Sequence, residues 1–429
     1  MRQLTRTGKT TARPSGFPPV IPLLLLSACG DAGDGSTIGV GGTSDGPDVI
    51  VNAVTEDVFT VGSVSGDDWE IFGSVQSVHF DDQANLHIFD DQAQRILVVG
   101  PDGSPIRTVG GRGEGPGEFN DVYTAIVARD GSYTVMGFSQ IDLFEPTGEF
   151  ARRIDRDPMR TGGVIADQAL PDGRLLTGVT MSLGDDDGEA EGGHPIHIFP
   201  LDGTEPELLY TAWRLPEEDE EDTGIRFGVL EWRKVIVSGS GESGERLVWA
   251  AGRAFEPPLS YDVLTDGRLA LIDSIGYRVK LIGLDGNVAG TIERPIAPLA
   301  VDDAIREAER ERYRERMARE DATSTNLPIE IEMEEVEGLT FTDEVPVLYG
   351  LKVDWEDQIW IERRGPTGAE DGPIDIVKPD GDYVGTLPSE GLRTPDAFGP
   401  GGLMAYIELD EMDVPTVRVV RLVALETQG

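Results

Sequence analysis

The chain has 429 residues, and 79 Asp and Glu outnumber 36 Lys and Arg to give a formal charge of −43. That balance excludes nucleic acid or an anionic lipid surface as the main partner, because like charge repels. The 39% hydrophobic content permits several small domains or one large repeat fold, and the single cysteine excludes an intramolecular disulfide.

The first 28 residues have a secretory layout. Arg2, Arg6, Lys9 and Arg13 make a positive start without an acid, and Phe17 to Leu26 makes a short apolar run. Pro18, Pro19 and Pro22 interrupt that run, and it is too short for a permanent membrane helix. Leu26-Ser27-Ala28-Cys29 closes it, and Cys29 is the only cysteine of the chain. The tetrapeptide resembles the lipobox of bacterial lipoproteins. The resemblance implies cleavage before Cys29, diacylglycerol on its sulfur and an anchor in the cell envelope. Several acyl chains hold a protein stably where one does not. Gly30 stands where an Asp favours the inner membrane in a known sorting rule, so the outer membrane is favoured. Residues 29–53 are rich in Gly, Ser and Asp and read as a flexible tether from the lipidated cysteine.

From residue 54 to 427 one pattern recurs: four short β-runs separated by turns, in units of about 45 residues. The late turn of the unit reads Pro101-Asp102-Gly103, Pro146-Thr147-Gly148, Leu201-Asp202-Gly203, Leu284-Asp285-Gly286 and Pro379-Asp380-Gly381. The early turn falls at Asp82 to Asn85, Asp130-Gly131, Asp172-Gly173, Asp266-Gly267, Glu356-Asp357 and Gly401-Gly402. Asp-Gly suits a tight hairpin because glycine accepts positive φ. Four antiparallel strands per unit is the signature of a propeller blade. The expected fold is therefore all-β, a six-bladed β-propeller, with seven or eight blades if the long gaps hide one. Those gaps, about 214–256 and 297–344, read as insertions. The second holds a charged helix from Asp302 to Glu320, with Glu309/Arg312 and Glu311/Arg314 at helical spacing. The last unit is short of a strand, and the run Val54 to Val61 lies unassigned upstream. This N-terminal strand is expected to complete the last blade and close the ring, which removes exposed strand edges.

After blade one comes Gly110-Gly111-Arg112-Gly113-Glu114-Gly115-Pro116-Gly117-Glu118-Phe119. This loop, the helix before blade five and the run Leu351 to Trp360 resemble a family of bacterial six-bladed propellers related to NHL-repeat proteins, many of them exported lipoproteins. The resemblance covers about residues 54 to 427, departs at the acidic stretches 184–193 and 217–222, and implies fold and location rather than chemistry.

Candidate sites follow. Arg112, Glu114 and Glu118 sit in the Gly-rich loop, whose amides suit an anion nest. The alternative is a crossover between blades plugged by Phe119. The loop is no P-loop, since no Gly-Lys-Ser/Thr follows. Asp121, Asp262 and Asp354 lie near inner strands, where lactonase-like propellers gather metal ligands from separate blades. Each is more often a strand-end or turn residue. Gly184 to Glu189 has a composition that admits Ca2+, but without EF-hand spacing it reads as a solvated loop, and no cofactor is expected. Trp355 and Trp360 read as packing residues. The expected function is a ligand- or protein-binding module of the envelope, acting as a monomer on a protein or small-molecule partner. The alternative is a metal-dependent hydrolase or lyase using the central channel.

Overall fold

The computed structural model describes residues 37–39, 47–137, 139–155, 163–181, 193–202, 204, 206–215, 225–227, 230–239, 242–251, 253–323 and 339–428. Cys29, the 184–191 loop and the 217–222 run lie outside them.

Six blades of four antiparallel strands form the ring, and residues 37–39 add a parallel fifth strand to blade 4. Blade 1 takes Val75–Phe80, Leu86–Asp90, Arg95–Val99 and Pro105–Gly110. Blade 2 takes Val122–Val127, Tyr133–Gly137, Gln140–Phe144 and Phe150–Asp155. Blade 3 takes Gln168–Ala169, Leu175–Thr177, Gly193–Phe199 and Glu207–Trp213. Blade 4 takes Ser260–Val263, Leu269–Ile272, Arg278–Ile282 and Val288–Glu293. Blade 5 takes Leu348–Val353, Ile359–Arg363, Ile374–Val377 and Tyr383–Leu387. Blade 6 takes Ala397–Phe398, Leu403–Leu409 and Pro415–Thr427, and borrows Val51–Val61 as its outer strand. Val51 pairs with Thr427 and Val61 with Val417, so the two chain ends close the ring.

The apolar core sits in the seams. Six clusters lie between successive blades, represented by Ile96 with Val135, Met136 with Leu175, Ile196 with Leu271, Val279 with Ile361, Trp360 with Tyr406, and Val419 with Ile88. One cluster per seam, with the last returning to blade 1, is the packing of a closed ring. Blade strands bury both faces for this reason: Leu86–Asp90 and Leu269–Ile272 are buried at every position.

The exposed turns use their aspartates structurally. Asp102, Asp130, Asp172, Asp202, Asp266, Asp285 and Asp380 each accept a hydrogen bond from the amide two residues on, at 2.9–3.1 Å. Such side-chain turns are cheap to build and leave a carboxylate in water. Part of the negative charge is thus turn chemistry.

The N-terminal segment is engaged earlier than residue 54. Residues 37–39 pair in parallel with the outer strand of blade 4. Ile50 bridges Thr386 of blade 5, whose amide donates to the Val49 carbonyl at 2.8 Å. Asp48 accepts from Arg294 at 2.9 Å and from both Arg363 Nη atoms at 3.1 and 2.7 Å. Of the 29–53 stretch, residues 37–39 thus lie on blade 4, and residues 47–53 run from blade 5 into blade 6.

Two additions stand outside the blades. Ile225–Phe227, Leu230–Gly239 and Glu242–Ala251 form a separate three-stranded sheet. Helix α1, Asp303–Thr323, follows blade 4. Asp302 caps it through the Ile305 amide at 2.9 Å, and Arg312–Glu309 and Arg314–Glu311 pair along it. The ladder of Leu299–Ala300 with Glu344–Val345 pinches the base of this insertion. Among the described residues no helix is long and apolar enough to cross a membrane.

Candidate functional site: the central channel

All six innermost strands line one channel of about 820 Å³. A repeated hydrogen bond gives the strands a common register. The amide that ends each inner strand donates to the carbonyl four residues on: Asp81, Ala128, Leu170, Leu264, Asp354 and Gly399, at 2.7–3.1 Å. One step back along each strand is an apolar ring of Phe80, Val127, Ala169, Val263, Val353 and Phe398, all lining the channel. Two steps back stand His79, Ile126, Gln168, Asp262, Lys352 and Ala397. Three steps back stand Asp167, Tyr261, Leu351 and Asp396, with Val78.

The polar groups of the channel are built in. The Tyr261 hydroxyl donates to the Asp167 carboxylate, with both oxygens at 2.7 Å. Gly178 makes room for that ring, since a Cβ there would lie 2.9 Å from Tyr261 Cε1. Asp167 meets channel water yet is ringed by protein. That enclosure pushes its carboxyl up to about 6, against the lowering effect of the Tyr261 hydrogen bond. Asp262 accepts from the Val353 and Val263 amides, both at 2.7 Å, and burial still raises its carboxyl. Burial lowers the Lys352 ammonium, while the carboxylates of Asp396 and Asp262 oppose the fall. Lys352 Nζ donates to the carbonyls of Pro395 and Asp396 at 2.9 and 2.8 Å.

His79 is enclosed, and burial lowers its imidazole to about 4, with His87 opposite adding to the effect. Its ring bonds the Ala125 carbonyl while Nε2 has no partner. The bond is therefore made by Nδ1–H, a tautomer assigned from this network, and Nε2 keeps a free lone pair. At the far end Arg129 stacks over Trp355 at 4.3 Å, and Trp355 Nε1 donates to the Phe398 carbonyl at 2.7 Å.

The sequence-derived candidates divide. Asp262 reaches the channel. Asp354 does not serve there: its Oδ1 accepts from the Glu356 and Gln358 amides at 3.0 and 2.7 Å, and its Oδ2 from Gln358 Nε2 and Trp360 Nε1 at 2.9 and 3.1 Å. Blade 1 repeats this clamp, with Asp81 accepting from Gln83, Asn85 and His87. Burial pulls the Asp81 carboxyl upward, but the bonds from His87 and Asn85 prevail and hold it at about 2. Asp121 sits exposed in a left-handed turn with φ 52° before blade 2. The three aspartates do not converge, and among the described residues no three His, Cys, Asp or Glu form a metal-ligand group.

The Gly-rich loop is a crossover outside the channel. Glu118 turns back onto the Gly115 amide at 2.8 Å, and Arg112 donates to the Gln92 carbonyl at 3.0 Å. Glu114 is exposed. Phe119 is fully buried edge-on to Phe144, 5.7 Å between centroids. Gly110, at φ 80°, presses on the Phe119 ring where a Cβ would lie at 2.5 Å. Of the tryptophans, Trp360 packs in a seam 5.0 Å from Phe398, and Trp355 lines the channel.

The site has no sequence motif. Asp167, Tyr261, Lys352 and His79 were missed because their shared register appears only once the strands are aligned by their turns.

No family model matches the chain, and no curated protein is similar to it. Solved structures that it resembles include a member of the DUF4221 family from Bacteroides vulgatus, 11% identical with a TM-score of 0.47 over 89% of this chain and 100% of that one. An exported protein from Bacteroides fragilis is 10% identical, with a TM-score of 0.45 over 88% and 96%. A streptogramin B lyase is 13% identical, with a TM-score of 0.38 over 86% and 98%. Likeness at this level carries nothing about activity. The class rests on the blades themselves: the protein is a six-bladed β-propeller.

Proposed function

We propose that the protein is a lipid-anchored, monomeric propeller of the bacterial envelope, favouring the outer membrane, that binds a small ligand in its central channel. One observation carries the reading. The six inner strands enclose about 820 Å³ lined by polar groups set around an apolar ring, which is how ligand sites combine apolar area with a few oriented polar groups. In the Gly110–Phe119 loop, Glu118 is held by the Gly115 amide and Arg112 by the Gln92 carbonyl.

The test is a thermal-shift screen of small metabolites on the mature protein, repeated with Ala169→Trp to block the channel and Arg112→Ala as a control. Stabilisation lost in the first and kept in the second supports the channel. Stabilisation indifferent to Ala169→Trp refutes it. Cys29→Ser tests the anchor: the protein leaves the membrane fraction, and uncut protein still in membranes overturns the lipid reading.

One observation favours a second reading, a lyase or hydrolase. Asp167, poised near 6 with Tyr261 bonded to it, is suited to proton transfer at neutral pH. Turnover of a bound ligand that disappears in Asp167→Asn while binding persists would select this reading. The sequence-derived ligand trio of Asp121, Asp262 and Asp354 does not supply it with a metal site.

A further inference from the structure

The channel wall carries more carboxylates than cations: Asp82, Asp130, Asp167, Asp172, Asp262 and Asp396 line it against Arg129 and Lys352. Lys352 has already committed donors to two backbone carbonyls, and the Tyr261 proton is on Asp167. Asp167 and Asp262 keep spare lone pairs on the channel, beside the third Lys352 N–H and the Gln168 amide. Against that excess of carboxylates, an occupant rich in N–H donors is favoured.

The charges are layered as well. On one side of the apolar ring stand Asp167, Asp262 and Asp396, facing Lys352 and the Arg393 that bonds Asp396 at 3.0 Å. On the other side stand Asp82, Asp130 and Asp172, facing Arg129 and the Arg174 that bonds Asp172 at 2.8 Å. In each tier three carboxylates face two cations. Between the tiers lies the ring of Phe80, Val127, Ala169, Val263, Val353 and Phe398. By the common register the tiers are three to five residues apart, one within the inner strands and the other in the turns that end them.

Resting on the reading of the channel as a ligand site, we propose that its ligand is an extended dication of the polyamine class. One terminal ammonium sits at the Asp167/Asp262 tier, the other at the Asp82/Asp130 tier, and the methylene run lies against the apolar ring. Each end meets an excess negative charge and open acceptors, and the middle buries methylenes on side chains that offer no polar group. A neutral or anionic molecule of the same length leaves both tiers uncompensated.

Affinity should depend on pH through the upper tier. Asp167 gains its charge as pH rises through about 6. The groups facing it are Tyr261, Asp262, His79, Lys352 and Asp396 with Arg393. His79, held near 4, stays neutral across that window. Binding therefore strengthens from pH 5 to pH 7.

The experiment is calorimetric titration of the mature protein with α,ω-diaminooctane and α,ω-diaminodecane, against octylamine, octanediol and suberate, at physiological salt. The variants are Asp167→Asn, Asp130→Asn and Ala169→Trp, each checked for an intact melting transition. The expected result is one diamine per protein, bound at least tenfold tighter than octylamine. Each Asn variant then loses at least fivefold, and Ala169→Trp abolishes binding. Diamine binding that is equal in all variants is adsorption to the acidic surface and overturns the proposal. So does failure of every diamine. If octanediol or suberate binds instead and Ala169→Trp abolishes it, the dication is wrong and the channel reading stands. If no channel-sensitive ligand of any class emerges, both fall.

Discussion

Asp48→Asn tests whether the N-terminal strap is latched to the ring. The Asp48 carboxylate, 30% exposed, sits against Arg294 and Arg363, which are 3% and 11% exposed. Asp375, fully buried, is the other anion, 2.7 Å from Arg294 and 3.7 Å from Arg363. Removing the Asp48 charge leaves two enclosed guanidinium groups sharing one carboxylate. Breaking a fully buried pair costs about 3–5 kcal/mol. Water at Asp48 screens part of that, so the expected loss is about 2–3 kcal/mol. For a ring of this size the melting temperature falls by roughly 4 °C.

The loss should also be local. The Thr386 amide donates to the Val49 carbonyl and the Gln428 amide to that of Ile50, so both should exchange faster with deuterium while blade 2 is unchanged. There is a pH signature too. Burial alone would raise the Asp48 carboxyl, but hydrogen bonds and charge from Arg363 and Arg294 outweigh it and hold it below 3.8. Its contribution is present above that value and is lost as pH falls through the lowered one. The gap between wild type and variant therefore closes in acid. Calorimetry and hydrogen exchange read all three effects. A melting temperature within 1 °C of wild type, with unchanged exchange at Thr386, would refute the latch.

Three further predictions concern the ring and the channel. Asp354→Ala strips four donors of their acceptor, one of them the buried Trp360 indole, and should cost about 3 kcal/mol in denaturant melts without altering channel ligand binding. A binding defect at unchanged stability would instead give Asp354 a role in the site. Gly110→Ala places a Cβ 2.5 Å from the Phe119 ring at a φ of 80°, and should destabilise by about 2–4 kcal/mol, with lost protection at the blade 1–2 seam as the readout. Asp167→Asn should raise the melting temperature at pH 7.5. The wild-type carboxyl is pushed up to about 6, so folding disfavours its charged form and stability is lost as pH rises through 6. The difference should vanish near pH 4, and a stabilisation that persists there would point to another cause.

The blades were legible in the sequence because a blade is local chemistry. An Asp-Gly or Asp-x-x turn, a β-branched run and the next turn all lie within about 45 residues. The missing fourth strand of the last unit was equally visible, and Val51–Val61 supplies it. The Asp81 and Asp354 clamps share a pattern, Asp followed four residues later by Asn or Gln and six later by His or Trp. That spacing explains why Asp354 is a turn residue rather than a ligand. The strap was not legible, because Asp48 finds Arg294 and Arg363 some 246 and 315 residues away.

The sequence alone determined the strand periodicity and the strand missing from the last unit, since hydrogen-bond register and turn geometry are set by neighbours along the chain; it favoured six units and left seven or eight open until the structure placed the long gaps outside the blades. Only the tertiary structure decided the channel. His79, Gln168, Asp262 and Lys352 come from four blades and share a level only because the ring closes and turns each inner strand toward one axis. No spacing in the sequence encodes that level, because each blade contributes one residue to it and the other blades lie outside the reach of local interactions.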